Sequence, residues 1–499
     1  MSKRFNVWLL ILAAIMVSRF IGMALFPFAD TTEPRYAEIA RLMAETGDWI
    51  TPWFEPGVPF WGKPPLSFWA QAAAIKVFGV SEFSLRFPSW LATLAMVWLI
   101  WRLARQLWSV QVAQWSCLVF ATMALTYISA GAVMTDAFLA LGTTLTLVSF
   151  CLVMAGEGGL WRWLFFLGMV IGLLSKGPLA MVLIGIPIVL WLLFSWREAS
   201  NDLRRLPWIR GTLMTALLVC PWYILAELKT PGFLDYFIVG EHIRRFLDPG
   251  WAGDLYGSAH NQPKGMIWVF WLWASFPWGI LALLSLALTW FRGKRSGIVS
   301  KTISNPGVTF LLVSALAPML FFTLAGNTLW TYILPSLPFT AILIGRWVSE
   351  CKSFWLPPMR GGLVALVPVL LTVFVGLAAV GWTPLKTEKE LVSYYQLVRE
   401  ADDSPLIYLD DLPFSARFYS NGSAREVTKN GLSNLQTSNV FQHLYVAVPR
   451  TWSSDKVADL SPSARKVMED NRYQLLVIEG LLRDQQPVSD ANGVRSNDI

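Results

Sequence analysis

The sequence predicts an all-α polytopic membrane body, followed by a small α/β extracytoplasmic domain. Three observations carry this. Of 499 residues, 55% are hydrophobic and only 15% are charged, against roughly 25% charged in soluble domains. The charge is unevenly spread: positions 383–499 hold 13 basic and 16 acidic residues, whereas positions 1–382 hold 27 basic and 17 acidic residues over more than three times the length. The long body is also divided into about eleven apolar stretches. These numbers exclude a disordered chain, a collagen and a disulfide scaffold. The formal net charge of +7 reports topology in a membrane protein before it reports a nucleic-acid partner, so no nucleic acid is expected. Cys117, Cys151, Cys220 and Cys351 lie in or beside apolar runs with no metal-ligand spacing, as small core hydrophobes do.

A helix needs about 20 apolar residues to cross the hydrocarbon. Candidate spans fall near 7–26, 88–107, 110–129, 134–154, 162–175, 179–196, 212–227, 266–291, 307–325, 330–347 and 361–381, and the architecture is expected to hold 11–13 such helices. With the N-terminus cytoplasmic, the even connections should be basic. They carry Arg102 and Arg105, then Arg162, then Arg197, Arg204, Arg205 and Arg210, then Arg292, Lys294, Arg295 and Lys301, and finally Arg346, Lys352 and Arg360. Of the body's acids, only Glu157, Glu198, Asp202 and Glu350 share that side. An odd span count puts the 383–499 domain outside. The body is accordingly read as 1–382, with two long external connections at 27–87 and 228–265. Amphipathic stretches such as Leu66–Phe78 can lie at the interface as a roof. In the tail, Leu406–Leu409, Leu444–Val448 and Leu475–Ile478 read as strands between helices.

The first external loop opens Asp30-Thr-Thr-Glu33-Pro34-Arg35-Tyr36-Ala-Glu38. Two roles fit its acids. A carboxylate at the membrane boundary can orient or deprotonate a nucleophile; equally, acids at a helix start cap it and pair with Arg35. Further on, Lys63 stands between Gly62 and Pro64-Pro65, which prevent a regular helix and fix the local backbone. A rigidly held ammonium suits a phosphate; a snorkelling lysine is the structural alternative. Two of the three histidines, His242 and His260, fall in the second long loop, and His242 neighbours Glu241, Arg244 and Arg245. This mixed-charge cluster suits a phosphate leaving group or a solvated ion-pair network. Lys176, near the outer end of its span, breaks the positive-inside trend and is a candidate substrate contact.

Asp30–Arg41, Gly47–Leu66 and the Phe78–Ser89 segment resemble the first periplasmic loop of bacterial phospholipid-carrier-dependent glycosyltransferases. These are the aminoarabinose lipid A transferases, related to protein O-mannosyltransferases, with the GT-C fold. The likeness continues through Met134-Thr135-Asp136, Ser175-Lys176-Gly177-Pro178, Pro221-Trp222-Tyr223, Glu241–Phe246 and Tyr332–Pro338, in order along the membrane body. It implies a polyprenyl (undecaprenyl) phosphate sugar as donor. The implied acceptor is lipid A or another envelope molecule, and the site is expected on the periplasmic side of a bacterial inner membrane. Asp30 and Asp136 match catalytic acids, and Lys63, Arg244 and Arg245 match binders of the carrier phosphate. Glu33, Arg35, Tyr36, Lys176, His242 and Tyr332 are the implied substrate contacts. No cofactor is required by such a donor, and Gly62 stands where the family places a glutamate associated with a bound metal. The expected reaction inverts C1 of the sugar, with positive charge stabilising the departing phosphate and Asp30 orienting the acceptor oxygen. A protein or envelope-polysaccharide transferase of the same fold is an alternative. A lipid-linked-sugar flippase is another, although transporters gather polar groups at the bilayer midplane and this chain gathers them in outer loops.

Overall fold

The computed structural model describes residues 3–248, 251–257, 260–291, 306–350, 357–380, 382, 385–399, 404–437 and 443–479. Arg292, Lys294, Arg295, Lys301, Cys351 and Lys352 lie outside the described residues, as does the side chain of Arg197. The chain divides into two units: Met1–Phe28 with Thr32–Thr383, and Ala29–Thr31 with Pro384–Ile499.

Among the described residues the first unit is mainly helical, with a two-stranded ribbon of β1 (Trp53–Glu55) and β2 (Val58–Pro59) in the first long loop. A helix stands at each of the eleven expected spans. Five helices are long and apolar enough to cross a membrane alone: Val7–Leu25, Glu82–Leu107, Asp136–Met154, Trp208–Lys229 and Met359–Ala378. A sixth crossing is broken, with Met266–Ala274 and Trp278–Leu288 meeting at 108°. By length and composition alone, five or six helices among the described residues pass, and the other expected spans are carried by shorter or broken apolar helices. The difference has local causes. Pro277 lacks the amide that would continue the helix through the 266–291 run. The 110–129 run breaks between Thr122 and Ala124, and the 330–347 run begins as a 3₁₀ segment, Trp330–Ser336, before Leu337–Glu350. Each piece alone is too short.

The hydrophobic core is continuous across these helices. Cys117 and Cys151 belong to it, as their apolar settings predict, whereas Cys220 is exposed on its helix and is not a core residue. Helices Asp136–Met154 and Leu160–Lys176 form a tight antiparallel hairpin. A Cβ on Gly142 would stand 2.6 Å from the Gly172 amide nitrogen and 2.8 Å from the Gly168 carbonyl oxygen, so only glycine lets these backbones approach so closely. The hairpin brings the first residue of one helix, Asp136, beside the last residue of the other, Lys176. The roof helices form as the loop sequence requires: Thr32–Thr46 begins with Glu33 and Pro34 in its first turn, and Leu66–Phe78 follows Pro64-Pro65. The second long loop holds an unusual ten-residue π-helical segment, Asp235–Arg244.

The second unit is a five-stranded mixed sheet with helices on its faces. Its strands are β3 (Leu406–Leu409), β4 (Arg425–Val427), β5 (His443–Pro449), β6 (Arg465–Glu469) and β7 (Tyr473–Glu479), in the order β4-β3-β5-β7-β6. β3 runs parallel to β4 and β5, and β7 runs antiparallel to β5 and β6. Alternation along the strands buries both faces. Tyr408, Tyr445, Ala447 and Leu475 pack with Leu391, Tyr395 and Ala416 on one side, and Ile407, Val446, Val448 and Leu476 pack with Leu432 on the other.

Candidate active site

In the first unit, the loop and helix ends bring Lys63 and Arg245, both singled out by sequence, into one chain of charges. Lys63 Nζ donates to Glu241 Oε2 at 2.9 Å, Arg245 Nη1 donates to Glu241 Oε1 at 2.7 Å, and Arg245 Nη1 also faces Asp254 Oδ2 at 3.1 Å. Glu241 is the junction, and its side chain is only 6% exposed. Burial opposes its ionisation, but the two cations overcome burial and hold the carboxyl down at about 2. Burial likewise works against Lys63, and the Glu241 carboxylate, assisted by Tyr36, raises it above the ordinary lysine range. Arg245 is raised in the same way, with Tyr332 and Asp254 adding to Glu241. All three groups are therefore charged at neutral pH.

A second pair lies at the hairpin end. Lys176, 6% exposed, places Nζ 2.7 Å from Asp136 Oδ1 and 4.7 Å from the centroid of the Tyr332 ring. Tyr332 thus stands over Lys176 while contributing to the field at Arg245. The two pairs are also tied through the main chain. His242 presents Nε2 to the Lys176 carbonyl at 3.0 Å and Nδ1 to the Phe237 carbonyl at 2.7 Å. Burial pushes its pKa down, against the pull of these two carbonyls. A neutral ring donates to only one of them. His242 fastens the π-helical segment to the end of the hairpin through these contacts. Gly177, at φ +63°, permits the fit: a Cβ there would meet the Phe237 ring at 2.6 Å.

Lys63 is held by more than its flanking prolines. The Tyr256 hydroxyl donates to the Pro59 carbonyl at 2.7 Å and accepts from the Trp61 amide at 3.0 Å, while Arg35 donates to the Tyr256 carbonyl. Trp61 in turn donates from Nε1 to Thr230 Oγ1 at 3.1 Å. Tyr36 is buried against Phe60 and Phe68. Asn327 Nδ2 reaches the carbonyls of Arg245 and Asp248 at 2.9 and 3.1 Å, fixing the turn that follows Arg245. Glu241, Asp254, Tyr256 and Asn327 were not singled out as site residues by the sequence. Only Glu241 carried a signal, its place beside His242 and the arginines.

Arg244 and Glu33 are not part of this charge cluster, and Asp30 falls in the second unit. Arg244 is exposed, unlike its neighbour Arg245. Glu33 is engaged by the fully buried Arg86, which donates to it at 3.0 and 2.7 Å, and by the Val133 amide at 2.9 Å. Arg86 also reaches the Met23 carbonyl at 3.0 Å, so this pair joins helix ends. Asp30 belongs to the second unit. Its Oδ1 accepts from the Ser415 amide and its Oδ2 from Ser415 Oγ, both at 2.8 Å, and Arg472 pairs with it at 2.5 Å. Arg472 lies 3.3 Å from the wholly buried Glu388, which also accepts from the Tyr408 hydroxyl at 3.0 Å. Burial first, and then the neighbouring Asp470 carboxylate, push Glu388 up to about 8 against the pull of Arg472.

The resemblance associates a metal with the position of Gly62 and with a histidine. Gly62 offers no donor, and a Cβ there would stand 2.8 Å from the Phe60 ring. Both ring nitrogens of His242 face main-chain carbonyls. Among the described residues no three His, Cys, Asp or Glu side chains gather to hold an ion.

The first unit is thus a helical body whose long loops build a buried lysine–carboxylate–arginine chain. The crystal structure of ArnT from Cupriavidus metallidurans bound to undecaprenyl phosphate superposes with a TM-score of 0.74 at 18% identity, over 96% of this chain and 98% of that one. Residues 62–225 match the family described as dolichyl-phosphate-mannose-protein mannosyltransferase. An undecaprenyl phosphate-alpha-4-amino-4-deoxy-L-arabinose arabinosyl transferase of Pseudomonas fluorescens is 31% identical over 72% of this chain and 60% of its own length. One of Aeromonas hydrophila is 32% identical over 64% of this chain and 55% of its own. Over its membrane body the chain is similar to these aminoarabinose transferases and to the mannosyltransferase family, and it shares the fold of the ArnT structure. It spans about 60% of the length of the curated relatives it matches.

Proposed function

We propose that the protein transfers a sugar from a polyprenyl phosphate carrier to an envelope acceptor, with aminoarabinose transfer to lipid A as the specific reaction. The site is proposed to face the periplasm from a bacterial inner membrane, as the basic even connections and acidic outer loops support. One observation carries the reading: Lys63 and Arg245, distant in sequence, converge on one buried carboxylate beside Tyr332 and Lys176. Two fixed cations in a site shielded from water suit a phosphate on which charge develops. In the proposed reaction an acceptor oxygen forms a bond to C1 while the C1–O bond to the carrier breaks. The electron pair leaves with the carrier phosphate, which Lys63 and Arg245 receive, and C1 inverts.

Asp136 neutralises Lys176 and holds it under Tyr332, where the ammonium can meet the donor or the acceptor. Asp30 can orient the acceptor only if its carboxylate leaves Ser415 and Arg472. An acceptor that is already an ionised phosphate needs no base, and the engaged state of Asp30 supports that acceptor class. Reconstitution with a labelled undecaprenyl-phosphate sugar tests the reading: covalent transfer to lipid A that Lys63→Ala abolishes supports it. Movement of the donor between leaflets without transfer would make the chain a flippase instead.

A further inference from the structure

We propose that Glu241 governs release of the spent carrier: a fixed carboxylate shared by Lys63 and Arg245, it weakens the site for the more highly charged product. The inference rests on the reading of those two cations as the phosphate-binding pair. Transfer converts a carrier phosphodiester, with one negative charge, into a phosphate monoester whose second ionisation lies near pH 6. Cations placed to stabilise the leaving group as its bond breaks therefore hold the product more tightly than the donor, and an unopposed pair would be inhibited by its own product.

The geometry supplies the opposition. Glu241 touches both cations, at 2.9 and 2.7 Å, and is buried between them. Asp254 reaches Arg245 only. Glu241 does not use up the donors. Lys63 spends two of its three N–H groups on Glu241 and the Gly62 carbonyl, and Arg245 meets both acids through Nη1 alone. A phosphate can therefore join the cluster with the carboxylate in place. The repulsion it then feels grows with its own charge, so it falls more heavily on product than on donor. The π-helical backbone and the His242 contacts hold Glu241 at this point and keep it from swinging away.

The test uses the full-length protein in detergent, with undecaprenyl phosphate as the titrated probe. Glu241→Gln keeps the size and removes the charge. It is expected to bind undecaprenyl phosphate at least about tenfold more tightly, and to be inhibited by added undecaprenyl phosphate at correspondingly lower concentration. Glu241→Asp, whose charge is withdrawn by one methylene, should fall between the two. Unchanged or weaker binding by the Gln variant would overturn the proposal and leave Glu241 an orienting residue only. Should the Gln variant not fold, the Asp variant decides by the same criterion. If the wild-type protein does not bind the probe and Lys63→Ala alters nothing, the phosphate reading falls and this inference with it; wild-type binding without a tighter variant sinks the inference alone.

Discussion

Replacing Glu388 by Gln should remove a pH dependence from the stability of the C-terminal domain. Glu388 is 0% exposed, and burial together with Asp470 lifts it from 4.5 to about 8. Because the folded carboxyl keeps its proton where the unfolded one has lost it, stability is fully present below pH 4.5 and is lost as pH rises through about 8. At about 1.4 kcal/mol per unit, the shift amounts to about 5 kcal/mol over that window. The Gln side chain imitates the protonated acid. The variant's advantage over wild type should therefore grow by about 3 kcal/mol between pH 5.5 and pH 8.5. Hydrogen exchange of the β5 and β7 amides in the full chain, corrected for intrinsic rates, reads this difference directly. Other titrating groups cancel in the comparison. Parallel wild-type and Gln profiles across pH 5.5–8.5, or a difference that shrinks as pH rises, would refute the assignment.

Four further outcomes are expected. Lys63→Ala should weaken undecaprenyl phosphate binding by roughly tenfold or more, since it removes a direct donor and leaves Glu241 less neutralised; isothermal titration checks it. Lys176→Met should cost about 3–5 kcal/mol by stranding Asp136, and the Lys176→Met/Asp136→Leu double variant should recover part of that loss in thermal unfolding. Gly142→Val would drive a branched side chain into the Gly168 and Gly172 backbone. It should destabilise the hairpin by about 3 kcal/mol or more, seen as a lowered Tm and a misplaced Lys176, hence lost transfer. Asp30→Asn should loosen the pairing with Arg472 yet leave transfer to a phosphate acceptor largely intact; complete loss of transfer with unchanged folding would instead make Asp30 the acid that orients the acceptor.

The apolar spans were legible because burial in lipid or core demands long hydrophobic runs, and each expected span holds a helix. Their lengths were less legible. A run such as 266–291 is apolar throughout, and the break at Pro277 changes direction without changing composition. In the tail, β3, β5 and β7 were readable from their apolar alternation. β4 and β6 were not: they are edge strands with mostly exposed or half-buried side chains, and their residues carry little pattern. The site shows the same division. Lys63 stood out through its glycine and prolines, and Arg245 through its charged neighbours. The buried role of Arg86 was hidden inside an otherwise ordinary helix, and Tyr256 looked like any loop tyrosine.

What the sequence by itself determined is the class of molecule and the chemical types carried by its long loops. Apolar length, charge bias and strand alternation are local properties, written residue by residue. Tertiary structure alone decided which charges meet. Lys63 and Glu241 are 178 residues apart, and Asp136 and Lys176 are joined by a hairpin whose closeness depends on three glycines. Even Asp30, beside the loop motif in sequence, has its carboxylate taken up by Ser415 and Arg472. Ion pairing acts over a few ångströms of space, not along the chain, so the partners of these acids could be assigned only once the backbone had brought them together.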